Sequence, residues 1–139
     1  MLVKDVMSQN VIFVSSEESV FEAVKLMALH NISGLVVGSR GRVEGVITMK
    51  DIFRKLVVLE KDIRKSKVGE YMSSPAVTVN QLNMVEKVAE VMGAKKIKRL
   101  VVVDSTGNAV GVITAMDVVS KVPKLLHVMF DTWVKPGWR

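Results

Sequence analysis

Gly45-Val46-Ile47-Thr48-Met49-Lys50-Asp51 returns as Gly111-Val112-Ile113-Thr114-Ala115-Met116-Asp117, so G-V-I-T-x-x-D occurs twice, 66 positions apart. The recurrence extends backward. Val3, Met7, Ser8, Val14, Val20, Met27, Ile32, Leu35, Val36 and Val37 reappear 65 positions on as Val68, Met72, Ser73, Val79, Val85, Met92, Ile97, Leu100, Val101 and Val102. The second copy has therefore gained one residue, which falls in the turn-like stretch Asp104-Ser105-Thr106-Gly107-Asn108. An internal repeat at this period sets the architecture and has to be read before any local motif.

Within each copy the hydrophobic period changes in the same order. Short β-prone segments at Val11 to Val14 and Ala76 to Val79 come first. Val20, Ala23, Val24 and Met27, matched by Val85, Val88, Ala89 and Met92, then have the i, i+3, i+4, i+7 spacing of a helix with one buried face. Leu35-Val36-Val37 and Leu100-Val101-Val102-Val103 read as buried strands, each followed by a glycine-containing turn and a further strand, Val43 to Thr48 or Ala109 to Thr114. Helical sequence closes each copy, through Ile52, Leu56 and Val57 or through Val118, Val119 and Val122. The unit is β-α-β-β-α. Glu60 to Lys67 is a charged connector, expected to be exposed and helical at its start, and Pro123 ends the last repeat helix. Beyond it, Leu125, Leu126, Met129, Phe130 and Trp133 suit the apolar face of a short extra helix, broken at Pro136-Gly137 before Trp138. The expected division is 1–60, 61–67, 68–122 and 123–139.

Composition narrows the function classes. At 139 residues, with 49% hydrophobic and 24% charged residues, the chain suits one shared core, since halves of about 60 residues are marginal alone. No apolar run approaches the roughly 18 residues of a membrane span, and the N-terminus lacks the signature of a signal peptide, so a soluble, cytoplasmic protein without membrane contact is expected. The absence of cysteine excludes disulfides, thiolate catalysis and Cys-ligated metals. His30 and His127 form no ligand motif, so no metal site is expected. There is no Walker loop, G-x-G-x-x-G or nucleophile elbow, and hence no catalytic residue to assign. A net charge of +6 permits an acidic ligand without demanding one.

T-x-x-D admits two physical readings. Thr48 and Thr114 end strands where Asp51 and Asp117 open helices, so outward N–H groups there favour an anion, a hydroxyl can bond phosphate, and a carboxylate can accept from ribose hydroxyls. The same spacing is also a capping box, in which Thr and Asp satisfy orphan N–H groups at the helix start.

The order β-α-β-β-α, given twice, with Asp5-Val6-Met7-Ser8, then Glu70-Tyr71-Met72-Ser73-Ser74-Pro75, and G-V-I-T-x-x-D near the end of each copy, resembles a tandem pair of cystathionine β-synthase (CBS) domains. The resemblance covers about residues 2 to 122. It implies an α/β (α+β) fold of two repeats packed as a pseudo-two-fold module, with two clefts that bind adenosine-containing ligands, and a regulatory rather than catalytic role. It implies a main cleft lined by Asp5, Asn10, Val11, Ile32, Ser33, Lys98, Arg99, Thr114, Met116 and Asp117. There Asp117 would hold ribose, Thr114 with Lys98 and Arg99 would hold phosphate, and apolar residues would sandwich the base. Asn10, where the other copy has Pro75, departs from the family pattern.

A second cleft is implied from Thr48, Lys50, Asp51, Ser33, Gly34, Pro75, Ala76, Val77, Ile97 and Lys98. Ser33-Gly34 stands there in place of Lys98-Arg99, so this cleft lacks a guanidinium able to grip phosphate bidentately, and Lys50 in place of Met116 restores one charge. The expectation is a main site for AMP, ADP or ATP, with an S-adenosyl compound as a further candidate, and a weaker second site. A homodimer that regulates itself or a partner protein is expected. Rival expectations are a constitutive dimerisation module with vestigial clefts, or nucleic-acid binding by the basic, tryptophan-bearing C-terminal stretch, where packing is favoured over nucleic acid.

Overall fold

The structure, a computed structural model, describes residues 1–125. The C-terminal residues Leu126, Met129, Phe130, Trp133 and Trp138, and with them the expected extra helix, lie outside the described residues; Leu125 is buried in a 3-10 turn, Pro123–Leu125.

The chain forms two compact units, one made of Ile12–Ala76 and the other of Met1–Val11 together with the chain from Val77 onward. In the 12–76 unit, β1 (Phe13–Val14) lies parallel to β2 (Gly34–Ser39), which pairs antiparallel with β3 (Arg42–Thr48). Helix α1 (Val20–His30) starts on a Ser19 cap, whose hydroxyl accepts from Glu22 N–H, and ends on Asn31 in the left-handed conformation that favours asparagine. It buries Val20, Ala23 and Met27, three of the four residues its spacing marks out, and half-buries the fourth, Val24, against the same core. After β3 come α2 (Met49–Ile52) and a π-helical turn, Phe53–Val57; α3 (Val68–Tyr71) then packs back on the same unit.

The other unit repeats the plan with β4 (Thr78–Asn80), α4 (Val85–Lys95), β5 (Arg99–Val103), β6 (Ala109–Thr114) and α5 (Ala115–Lys121), again as one three-stranded sheet. Each unit has its own apolar core: Val14, Leu35, Ile47, Leu56 and Val68 in one, Val79, Leu100, Ile113, Val118 and Val3 in the other. Burying a side chain of this kind stabilises by about 1.5–3 kcal/mol. No helix among the described residues is long and apolar enough to cross a membrane.

Two expectations need correction. The connector does not begin as a helix: Glu60 adopts a left-handed backbone (φ 56), and the chain runs on in turns. Nor is the connector wholly exposed, because Ser66 is buried and Ile63 packs on the core; their carbonyls accept from Val20 N–H (2.8 Å) and Phe21 N–H (3.0 Å), capping the start of α1. Val57, in the π-helical turn, is 56% exposed.

The two sequence copies exchange their leading segments. Ser8 pairs with Val112 by two backbone hydrogen bonds of 2.9 Å, while Ser73 pairs with Val46 at 2.8 and 3.0 Å. The Met-Ser of each copy therefore covers the outer edge of the other copy's last strand, which would otherwise offer unpaired backbone groups. Glycine makes this approach possible: a Cβ on Gly111 would lie 2.5 Å from Met7 Sδ and 2.8 Å from Ser8 O, and one on Gly45 would lie 2.6 Å from Ser73 O. Two lysines at matching places pin the same segments. Lys121 donates to Val6 O and Lys55 to Tyr71 O, both at 2.9 Å.

Gly111→Ala and Gly45→Ala should each destabilise the protein by about 1–3 kcal/mol, the usual cost of overpacking a fitted site, as read by denaturant unfolding. The inserted turn gives a pH prediction. Asp104 Oδ1 accepts from the Thr106 hydroxyl (2.6 Å) and from Thr106 and Asn108 N–H, and the Thr106 hydroxyl chiefly holds this carboxyl below its ordinary 3.8. A depressed carboxyl contributes stability above its unfolded pKa and loses it as pH falls through the folded value. Asp104→Asn should therefore flatten the fall of melting temperature with pH below about pH 4.

Candidate functional site

Both T-x-x-D segments fold as capping boxes. Thr48 Oγ1 accepts from Asp51 N–H (3.1 Å) and Asp51 Oδ2 accepts from Thr48 N–H (3.0 Å); at Thr114 and Asp117 the same bonds measure 3.1 and 2.8 Å. The first helical N–H groups, of Met49 and Ala115, are taken by Ser33 O (2.9 Å) and Lys98 O (2.8 Å). The helix starts are thus largely satisfied by protein, and an anion there would rely on side chains more than on backbone. The two readings of the motif are nonetheless compatible. A threonine hydroxyl that accepts from N–H keeps its own proton to donate, and a carboxylate that caps through one oxygen keeps the other.

What happens to that other oxygen differs between the units. Asp51 Oδ1 accepts from the Ser73 hydroxyl at 3.2 Å and faces Lys55 Nζ at 3.3 Å, in a side chain only 14% exposed. Asp117 Oδ1 has no partner among the described residues. Lys121 occupies the place of Lys55 without forming an ion pair to Asp117, and Ser8, in the place of Ser73, accepts from Asn10 N–H at 3.4 Å instead. The duplicated acids therefore have unequal capacity to accept from a ligand.

The strand register adds a second inequality. Arg99 opens β5 directly opposite Thr114 on β6, and the matching pair in the other unit is Gly34 opposite Thr48. Cross-strand partners project to the same face with Cβ atoms about 4.5–5.5 Å apart, so Arg99 flanks the Thr114 hydroxyl, whereas Gly34 leaves Thr48 no side-chain neighbour there.

Of the residues expected in the main cleft, the unit containing Thr114 and Asp117 also contains Asp5, Asn10, Val11, Lys98, Arg99 and Met116. Asp5 lies in a 3-10 turn, Val3–Asp5, with Oδ2 accepting from Leu2 N–H (3.1 Å). Lys98 and Asn10 are exposed, Arg99 and Val11 half-buried, and Met116 is 71% exposed, an apolar side chain beside the acid. Ile32 and Ser33, both exposed, belong to the 12–76 unit. That unit also holds Thr48, Lys50, Asp51, Gly34, Pro75 and Ala76 of the second set, while Val77 and Ile97 pack against the core of the other unit. Ser73, Lys55 and Lys121 are not among the site residues expected from the sequence. Their signal is recurrence between the copies, Ser8 and Ser73 at the offset of 65 and Lys55 and Lys121 at the offset of 66.

The CBS domain family model matches residues 3–58 and 68–124. Among curated relatives, the CBS domain-containing protein YhcV of Bacillus subtilis is 32% identical over 115 residues, spanning 83% of this chain and 81% of its own. Other curated relatives are longer, and the chain spans 22% of two of them and 54% of a third. Among solved structures, the CBS domain protein TA0289 of Thermoplasma acidophilum shares the fold at a TM-score of 0.86 and 24% identity, covering 100% of this chain and 79% of that one. The CBS domain pair of MJ0100, solved in complex with 5'-methylthioadenosine and S-adenosyl-L-methionine, has a TM-score of 0.77 and 31% identity, covering 86% and 98%. With both repeats matched across most of its length, the chain belongs to the CBS domain family, as a tandem pair.

Proposed function

We propose that the protein is a regulatory module that binds an adenosine-containing ligand, with AMP, ADP or ATP as the nucleotides its basic residues suit, and passes occupancy on through a change of shape. The observation that carries this reading is the grouping around Asp117: an open carboxylate oxygen, the Thr114 hydroxyl, Arg99 across the strand pair and the exposed Met116. An open carboxylate oxygen suits a ribose diol, which offers two donors. A guanidinium beside a hydroxyl suits phosphate, because both donate. Lys98 adds charge, and Met116 offers a polarisable surface to the base. The adenosine compounds in the MJ0100 pair support the ligand class. S-adenosyl compounds, whose sulfonium carries a positive charge, fit the basic Lys98-Arg99 pair less well than a phosphate does.

A ligand shifts a conformation only by its differential affinity for two states, so regulation requires that binding favour one of them. The module is further proposed to act in the cytoplasm as a homodimer. Met49, Phe53 and Val57 recur every four residues along one helical face and are all exposed, Phe53 by 52%, leaving an apolar stripe centred on one aromatic. A two-fold axis through Phe53 would lay the stripe on its own copy, as an isologous interface requires.

Isothermal titration with AMP, ADP and ATP tests the ligand reading: Asp117→Ala should lose at least tenfold in affinity and Asp51→Ala much less. Unchanged binding in Asp117→Ala would overturn it. For assembly, Phe53→Glu should convert a dimer to a monomer in sedimentation equilibrium, and a wild-type monomer would rule the dimer out.

A further inference from the structure

In the 12–76 unit, the acid of T-x-x-D already serves three protein groups. Asp51 Oδ2 caps Thr48 N–H at 3.0 Å, Oδ1 accepts from Ser73 Oγ at 3.2 Å, and Lys55 Nζ stands 3.3 Å from Oδ1. Ser73 is not loosely placed. Its N–H donates to Val46 O (2.8 Å) and its carbonyl accepts from Val46 N–H (3.0 Å), so the edge of β3 holds the hydroxyl over the acid. Lys55 is held as well, because it also donates to Tyr71 O at 2.9 Å. Ser73 arrives on the segment leading into the second copy, the segment that Gly45 allows to approach, while Lys55 lies four residues beyond Asp51 in Phe53–Val57 and is tied to that segment through Tyr71.

We propose that Ser73 and Lys55 form an internal lock on Asp51, occupying the carboxylate that an adenosine ligand would need and leaving Asp117 as the acid free to accept a ribose. The proposal rests on the adenosine-binding reading above and deepens it by naming the residues that make the two T-x-x-D sites unequal. A ribose diol entering beside Asp51 must displace the Ser73 hydroxyl and share a charge that Lys55 already compensates. Hydrogen bonds to charged groups are among the stronger ones, so the displacement is felt in affinity. The counterpart positions do not form the lock. Ser8 Oγ turns to Asn10 N–H, and Lys121 bonds Val6 O without reaching Asp117. The inequality therefore has a cause besides Arg99 facing Thr114 where Gly34 faces Thr48.

Ser73→Ala isolates the lock, because Ser73 is exposed and its anchoring bonds to Val46 are made by backbone atoms that alanine keeps. The full-length protein is titrated with AMP by calorimetry as wild type, as Ser73→Ala, and as Ser73→Ala combined with Asp51→Ala or with Asp117→Ala. The lock predicts that Ser73→Ala strengthens the second, weaker binding event about tenfold, in line with one displaced hydrogen bond to a charged group. That gain should vanish when Asp51→Ala is added and survive when Asp117→Ala is added. Ser73→Ala binding like wild type at both events overturns the lock while the Asp117 site stands. A weaker second event overturns it too, by making Ser73 a residue that positions Asp51 for binding. Loss of all AMP binding in every form, wild type included, overturns the adenosine reading and the lock with it.

Discussion

The fold depends on two close contacts between a glycine and a methionine-serine pair. Gly111 lies under Met7 and Ser8, and Gly45 lies under Met72 and Ser73, with clearances that leave no room for a Cβ at either glycine. Through them the segment before each copy covers the edge of the other copy's last strand. Among the described residues the sheets have three strands each, and an open edge on so small a sheet would be a site for unwanted pairing. Neither copy supplies its own edge cover. A single repeat cut from the chain would therefore lack part of its core as well, since Val3 and Val6 belong to the cluster of Val79, Leu100 and Ile113, and Val68 to that of Val14 and Ile47. The duplication is thus one folding problem solved jointly.

This constraint also accounts for which residues recur. Met7-Ser8 and Gly111, or Met72-Ser73 and Gly45, are the two faces of one contact, and Lys121 with Val6, or Lys55 with Tyr71, holds it from the side. The recurrence of D-V-M-S-like and G-V-I-T segments is structural before it is functional. Likewise the threonine and aspartate of T-x-x-D are kept in both copies by a demand that both helices share, the closing of a capping box. Repetition of a motif is then no measure of how many ligand sites the chain has.

Much of the fold was legible because its signals are local. The spacing of Val20, Ala23, Val24 and Met27, and of Val85, Val88, Ala89 and Met92, gave helices whose marked residues are buried, Val24 only in part, and the apolar runs at Leu35 and Leu100 gave strands. The short turns at Val3–Asp5 and Val68–Tyr71 escaped, being too brief for a period to register. The connector was misread because its charges suggested a solvated helix, while its contribution lies in two carbonyls, of Ile63 and Ser66, that any sequence carries. The exchange of leading segments left no mark either, since each copy aligns as well with its own Met-Ser as with the other's. At the candidate site, Thr48, Asp51, Thr114 and Asp117 were legible through the repeat, but the bond from Ser73 to Asp51 spans 22 positions and depends on the exchange.

The difference between the two acids follows from what a carboxylate has to spare once it has capped a helix. Capping consumes one oxygen in each copy and leaves one. In the 12–76 unit the remaining oxygen is drawn back into the fold by the Ser73 hydroxyl, delivered by the contact that Gly45 permits, and by the ammonium of Lys55, four residues on from the acid. In the other unit the corresponding serine and lysine are present and bonded elsewhere, so the oxygen has no partner among the described residues. The chemical types at these places are the same in both copies, and what differs is where each side chain finds its partner. Identical residues at repeated positions can therefore make unequal bonds without any change in the threonine and aspartate of the motif, and Arg99 standing where the other copy has Gly34 adds to an inequality that the packing has already set up.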